Sequence, residues 1–216
     1  QNLIIHEFTV DFSRLKSVNF IRDFLVNKLN MKHMVVGYDH HFGKNREGTF
    51  ENLLALSELY DFKLHKIEPQ NVDEVTISST KIRNAIAEGD IEKANSYLCC
   101  DFAINGKVEK GNKIGNSIGF PTANIKVVNN WKLLPKDGVY AVKVFIEHQQ
   151  FYGMLNIGVR PTIKDDSHII EVHIFDFNKD IYNQNIKIEF SERIRGEKKF
   201  ENLDALKKQL QIDESK

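Results

Sequence analysis

Gly106-Lys107-Val108-Glu109-Lys110-Gly111-Asn112-Lys113-Ile114-Gly115-Asn116-Ser117-Ile118-Gly119-Phe120-Pro121-Thr122-Ala123-Asn124 follows a short apolar strand, Phe102-Ala103-Ile104. Glycines at 106, 111, 115 and 119 let the backbone approach a ligand with no Cβ in the way. Lys107, Lys110 and Lys113 stand among them, and free N–H groups in such a loop form an anion nest. Pro121 then fixes φ, and Thr122 and Asn124 offer two neutral oxygens, at i and i+2, to a hard cation such as Mg²⁺. Gly106, Gly111, Lys113 and Gly115 thus read as a phosphate cradle, and Thr122 and Asn124 as metal ligands beside it. On glycine spacing alone a plain surface hairpin is the commoner outcome. The stretch is not a P-loop, because Lys113 comes one residue late and no Ser or Thr follows it.

Downstream of this stretch, Gly138 to Ile146, Gln150 to Asn156, Ile169 to Phe175 and Ile186 to Phe190 read as strands at short spacing with turn residues between them. That is the pattern of an antiparallel barrel or sandwich. Asn202 caps a closing helix whose buried stripe is Leu203, Leu206 and Leu210. Within Ile169-Ile170-Glu171-Val172-His173-Ile174, alternation puts Glu171 and His173 on one face and Val172 and Ile174 on the other. In a generic sheet Glu171 would be no more than an exposed carboxylate.

Upstream the pattern changes. Leu3-Ile4-Ile5 and Phe8-Thr9-Val10 read as strand pieces, and Ser17 as the cap of a helix carrying Phe20, Ile21, Phe24, Leu25 and Leu29. Met34 to Gly37 is a short apolar run ending in glycine, as a buried parallel strand does. A helix over Phe50–Leu59, an alternating strand over Phe62–Ile67, a helix over Ile82–Ile86 stopped near Gly89, and a helix capped by Asp90 follow. Strand–helix alternation implies an α/β layer. The boundary between the two regions falls at Leu98–Asp101.

Two stretches of the first region carry polar chemistry. Gly37-Tyr38-Asp39-His40-His41-Phe42-Gly43 leaves the end of a buried strand, where open α/β sheets bind ligands. Ile77-Ser78-Ser79-Thr80-Lys81-Ile82-Arg83 opens a helix, where hydroxyls, free N–H groups and Arg83 suit a phosphate. Plain N-capping explains the hydroxyls equally well. His40 and His41 are adjacent and read as a solvated loop rather than a metal pair.

The chain has 216 residues with 30 basic and 30 acidic side chains, a balance that speaks against a general nucleic-acid or membrane-surface binder. Cys99 and Cys100 are adjacent, which excludes an ordinary loop-closing disulfide and a four-cysteine zinc site. The expected setting is a reducing cytoplasm. No run approaches a membrane span. The chain begins with Gln1 and is expected to be a fragment.

The Gly106–Asn124 segment resembles the nucleotide and metal loop of riboflavin kinases. Gly138-Val139-Tyr140-Ala141-Val142, Asn156-Ile157-Gly158-Val159-Arg160-Pro161-Thr162 and Glu171-Val172-His173-Ile174-Phe175 match later landmarks of that family in order. The resemblance implies Mg²⁺ with ATP at Thr122 and Asn124, and Glu171 as catalytic base toward riboflavin. Arg160 and the Arg193–Phe200 stretch would border the flavin. The two upstream motifs resemble the FMN adenylyltransferase domain of bacterial bifunctional FAD synthetases. That resemblance implies nucleotide contact by Asp39, and triphosphate or flavin phosphate contact by Ser79, Thr80 and Arg83. The family's His-x-Gly-His segment is absent from these residues, so FMN formation with little FAD formation is expected.

The expected architecture is a partial Rossmann-like α/β nucleotidyltransferase domain, residues 1–100, followed by an antiparallel β-barrel riboflavin kinase domain with a C-terminal helix, residues 101–216. Small-molecule substrates (riboflavin, FMN, ATP) are the expected partners, with neither nucleic acid nor membrane. Two other readings stay open: a flavin-binding protein without turnover, and a small barrel that binds single-stranded nucleic acid. The latter needs a basic face with stacking aromatics.

Overall fold

The computed structural model describes residues 2–72, 75–111, 115, 118–129, 131–159 and 168–216. By backbone contacts the chain divides into two compact units, Gln1–Thr76 and Ile77–Lys216.

In the first unit the apolar run expected as a buried parallel strand is parallel but not buried: β1 (His33–Gly37) pairs in parallel with β2 (Lys63–Ile67), and Val35 is 59% exposed. Val36 points into a small core with Ile21, Leu53, Leu56 and Phe62. Before the sheet come α1 (Val10–Ser13) and α2 (Ser17–Asn19), the latter running on into a π-helical turn, Phe20–Val26. After β1 lies α3 (Phe50–Leu59), capped by Thr49, and after β2 a two-residue hairpin, β3 (Asn71–Val72) with β4 (Val75–Thr76).

Two sequence expectations fail here. Leu3–Ile5 and Phe8–Val10 are not strands; Leu3 and Ile5 are each 85% exposed, and Thr9 instead caps α1 by accepting from the Phe12 N–H at 3.1 Å. Strand preference is largely a preference for packing on a pleated neighbour, and no described strand pairs with these residues. Ser17 is not a side-chain cap either. Its N–H and hydroxyl are both directed at Glu47 Oε1, at 2.9 and 3.4 Å.

The second unit opens with α4 (Ser79–Glu88) and α5 (Ile91–Leu98). Ser78 caps α4, Gly89 ends it in the left-handed conformation, and Asp90 caps α5 as the sequence indicates. Six strands follow: β5 (Phe102–Glu109), β6 (Ala123–Val127), β7 (Gly138–Ile146), β8 (Gln149–Val159), β9 (His168–Ile174) and β10 (Asn185–Arg195). They close into an antiparallel barrel in the order β10-β5-β6-β9-β8-β7, and β10 pairs with β7 to complete the ring. Inward positions on every strand are apolar. Ile104, Val144, Leu155, Ile157, Val172, Ile188 and Phe190 are almost wholly buried. Tyr140 joins this core by bonding its hydroxyl to the Lys136 carbonyl, and burial pushes its phenol pKa up.

β5 is longer than its sequence suggests. It runs on through Gly106 to Glu109, so Gly106 and Lys107 are strand residues paired with β6 rather than part of a loop. A Cβ on Gly106 would collide with the Ile125 side chain of β6. α6 (Leu203–Glu214) closes the chain, capped by Asn202. Leu206 and Leu210 pack with Ile118, Phe120, Val139 and Met154 in a small second core on the barrel wall. Leu203, expected in that stripe, is 51% exposed.

Candidate active site

The barrel register builds the site. On β9, Glu171 stands opposite Asn124 of β6 and opposite Asn156 of β8. Directly paired residues of antiparallel strands project to the same face with Cβ atoms about 5 Å apart. The neighbouring row, Ala123, Val172 and Leu155, points into the core, where Val172 and Leu155 are fully buried. Asn124, Glu171 and Asn156 therefore form one polar row on the outer wall. Asn156 lay within a recognised motif, but its place in this row depends on register and is invisible in the sequence.

Thr122 sits two residues before Asn124, at the point where the β6–β9 ladder stops. His173 takes over from the ladder there. Its Nδ1 lies 2.7 Å from the Pro121 carbonyl oxygen, so the imidazole donates to it. Phe120 and Phe175 meet the same ring edge-on, with centroids at 5.2 and 5.6 Å. The segment holding Thr122 is thus fastened to the strand that holds Glu171.

The glycine stretch contributes space. A Cβ on Gly111 would overlap the Asn124 amide, and a Cβ on Gly115 would strike the Phe120 carbonyl while standing 3.5 Å from Thr122 Oγ1. Gly111 therefore leaves room for the Asn124 side chain, and Gly115 for the Phe120 backbone. A hydroxyl and an amide oxygen, with the Glu171 carboxylate in the adjacent register position, are a hard oxygen set of the kind Mg²⁺ prefers. Among the described residues no group of three or more His, Cys, Asp or Glu could hold a metal. Lys113 of the sequence-derived cradle, and Arg160, lie outside the described residues.

Thr122 lines two cavities, of which one borders the row at Glu171 and Asn156 and the other meets the inward-facing Val108, Val172 and Ile174. One, about 340 Å³, has apolar walls from Phe120, Met154, Phe200, Leu206 and Leu210, with Glu171, Asn156 and Arg195 as polar groups. The other, about 470 Å³, is bounded by Pro121, Ala123, Phe177, Lys179, Asp180 and Tyr182. Such volumes and mixed linings suit small-molecule sites.

Gly111→Ala is expected to push the Asn124 amide from its place and to raise the Mg²⁺ concentration needed for half-maximal turnover about tenfold, in the range seen for support groups around metals. A magnesium titration of the variant checks it, and an unchanged midpoint would mean that Asn124 does not serve the metal.

The other sequence-derived site residues divide between the two units. Asp39 is exposed in the turn after β1. Its loop is held by reciprocal Phe42–Gly48 backbone bonds at 2.9 and 3.4 Å. Ser79, Thr80 and Arg83 are exposed on the first turns of α4, and Arg83, four residues after Ser79 and three after Thr80, neighbours both on the helix surface. The capping role falls to Ser78, which accepts from the Lys81 N–H.

Comparison with known proteins gives this geometry a family. A riboflavin kinase family model matches residues 98–216, and an FAD synthetase model matches residues 1–81. The bifunctional riboflavin kinase/FMN adenylyltransferase of Haemophilus influenzae is 40% identical over 98% of this chain and 68% of its own length. The chain belongs to this bifunctional family. The Listeria monocytogenes and Escherichia coli members are each 39% identical, over 98% and 94% of the chain and 67% and 64% of their own lengths. A solved structure described as a macrolide-efflux protein from Streptococcus pneumoniae shares the fold, with TM-score 0.88 and 34% identity over 97% of this chain and 67% of that one. Among the described residues of this family member no helix is long and apolar enough to cross a membrane.

Asn156 and His173 border the apolar cavity, and the sequence alone assigns neither a role; Arg195, which also borders it, lies in the Arg193–Phe200 stretch expected beside the flavin. His173 could have been found from its alternation with Glu171.

Proposed function

We propose that the barrel transfers the γ-phosphate of ATP to the terminal ribityl hydroxyl of riboflavin, giving FMN and ADP, and that Glu171 is the base. The observation that carries this reading is the Asn124–Glu171–Asn156 row, in which a carboxylate stands beside Asn124 and lines the apolar cavity together with Thr122. Glu171 accepts the hydroxyl proton as the oxygen attacks phosphorus, and the β–γ bridging oxygen leaves with ADP. Phosphoryl transfer depends chiefly on positioning and on neutralising charge. Thr122 and Asn124 would hold the magnesium, which supplies charge neutralisation on the phosphates when bound. The chain's own work is to fix the distance between acceptor and donor, and antiparallel strands do this rigidly.

The apolar cavity suits the flat isoalloxazine ring. The cavity bearing Lys179 and Tyr182 suits the nucleotide, with Gly111, beside Asn124, on the phosphate side; Gly106 is a buried strand residue and takes no part. For the FAD synthetase-like region, the proposed contacts are Asp39 to nucleotide, and Ser79, Thr80 and Arg83 to phosphate, in adenylyl transfer from ATP to FMN. The test is to incubate the protein with riboflavin, ATP and Mg²⁺ and to separate the flavins. FMN and ADP appearing in equal amounts is the expected result; flavin binding without ADP release would leave a binding protein instead.

A further inference from the structure

Asp213 is a carboxylate on the last turn of a surface helix, yet it is only 2% exposed. Burying a charge there is costly unless it is paired and hydrogen-bonded. Its partner is Arg195, at the end of β10, whose Nε lies 3.1 and 2.9 Å from the two Asp213 oxygens and whose Nη2 lies 2.8 Å from Oδ2. Gln209, one turn back on α6, donates to Oδ1 at 2.9 Å. The Arg195 Nη1 donates to the Gly196 carbonyl at 3.0 Å.

Arg195 is the member of this group that reaches the apolar cavity; Asp213 stands behind it and does not line that cavity. The guanidinium also faces the Phe200 ring at 5.7 Å. A guanidinium has five N–H donors in a fixed plane, and the contacts above leave donor capacity on both terminal nitrogens. A planar fork beside an aromatic face and aliphatic walls matches a flat heteroaromatic ring with carbonyl acceptors on one edge. It does not border the cavity assigned to the nucleotide.

From this arrangement we infer that Asp213 is a positioning residue for the flavin: from α6 it holds the Arg195 fork in the cavity wall, where the fork orients riboflavin and not ATP. The inference rests on the kinase reading above. It gives the C-terminal helix a role in substrate recognition besides covering the barrel.

Three variants test it, with the wild-type protein assayed first for FMN and ADP. No FMN from wild type would overturn the kinase reading itself, and this inference with it. Arg195→Lys keeps a cation for Asp213 but loses the fork; the expected result is a riboflavin KM raised about tenfold, the scale of one or two lost hydrogen bonds, with ATP KM and Tm nearly unchanged. Asp213→Asn should raise riboflavin KM similarly and lower Tm. Arg195→Met with Asp213→Leu replaces the buried pair by apolar groups, which often recovers stability. Its Tm should return toward wild type while riboflavin KM stays high. Recovery of both in the double variant, or a wild-type riboflavin KM in Arg195→Lys, would reduce the pair to a structural latch.

Discussion

Glu171→Gln is expected to lower the rate of FMN formation by about 10²–10⁴, the usual contribution of a positioned base, while riboflavin and ATP still bind. The amide matches the carboxylate in shape but cannot take the ribityl proton. The fold should not notice the change. Glu171 is half-buried on the outer wall, its backbone pairing to β6 and β8 is unaltered, and the core residues beside it, Ile170 and Val172, remain in place. Steady-state kinetics by flavin separation, together with riboflavin fluorescence quenching to report binding, distinguish lost chemistry from lost affinity. Wild-type turnover in the variant would remove Glu171 from the reaction.

Thr122→Ala combined with Asn124→Ala should be nearly as damaging, by a different route. Both proposed protein oxygens for Mg²⁺ are lost together. Substituting outer-shell partners of metals already costs 10–100-fold, so loss of two direct ligands should cost at least ~10² in kcat/KM for Mg·ATP. Unlike Glu171→Gln, this variant should be partly rescued by raising magnesium, because the phosphates still recruit the ion. The contrast is diagnostic. An activity curve against magnesium superimposable on that of wild type would mean that the ion is held elsewhere.

How far the sequence reaches depends on how local the deciding interaction is. The caps at Asp90 and Asn202 were legible because each interaction closes within three residues. The outward face of Glu171 was legible for a similar reason, since alternation along one strand needs no partner. The Asn124–Glu171–Asn156 row was not. It joins three strands through a register that only barrel closure decides. The same holds for Gly106, whose need to be glycine comes from an Ile125 side chain on the next strand. The Arg195–Asp213 pair spans a loop and the whole of α6, and no period links the two.

At the other end of the chain the sequence misled. Leu3–Ile5 has strand composition but, among the described residues, no strand to pair with. Ser17 has the residue type of a cap, but the distant Glu47 engages it first. The helix from Ser17 reads as α by its spacing of apolar residues, while part of it is wound as π. Its hydrophobic stripe alone does not distinguish the two windings.

Because the barrel is closed, Glu171 has a strand partner on either side, and freeing its backbone means breaking its pairing with both Asn124 and Asn156 rather than fraying an edge. Local opening at such a position costs nearly as much as unfolding the whole unit. The proposed base is therefore insulated from modest losses of stability. A weakened barrel core would first reduce the number of folded molecules, and each one that remained folded would turn over at its full rate.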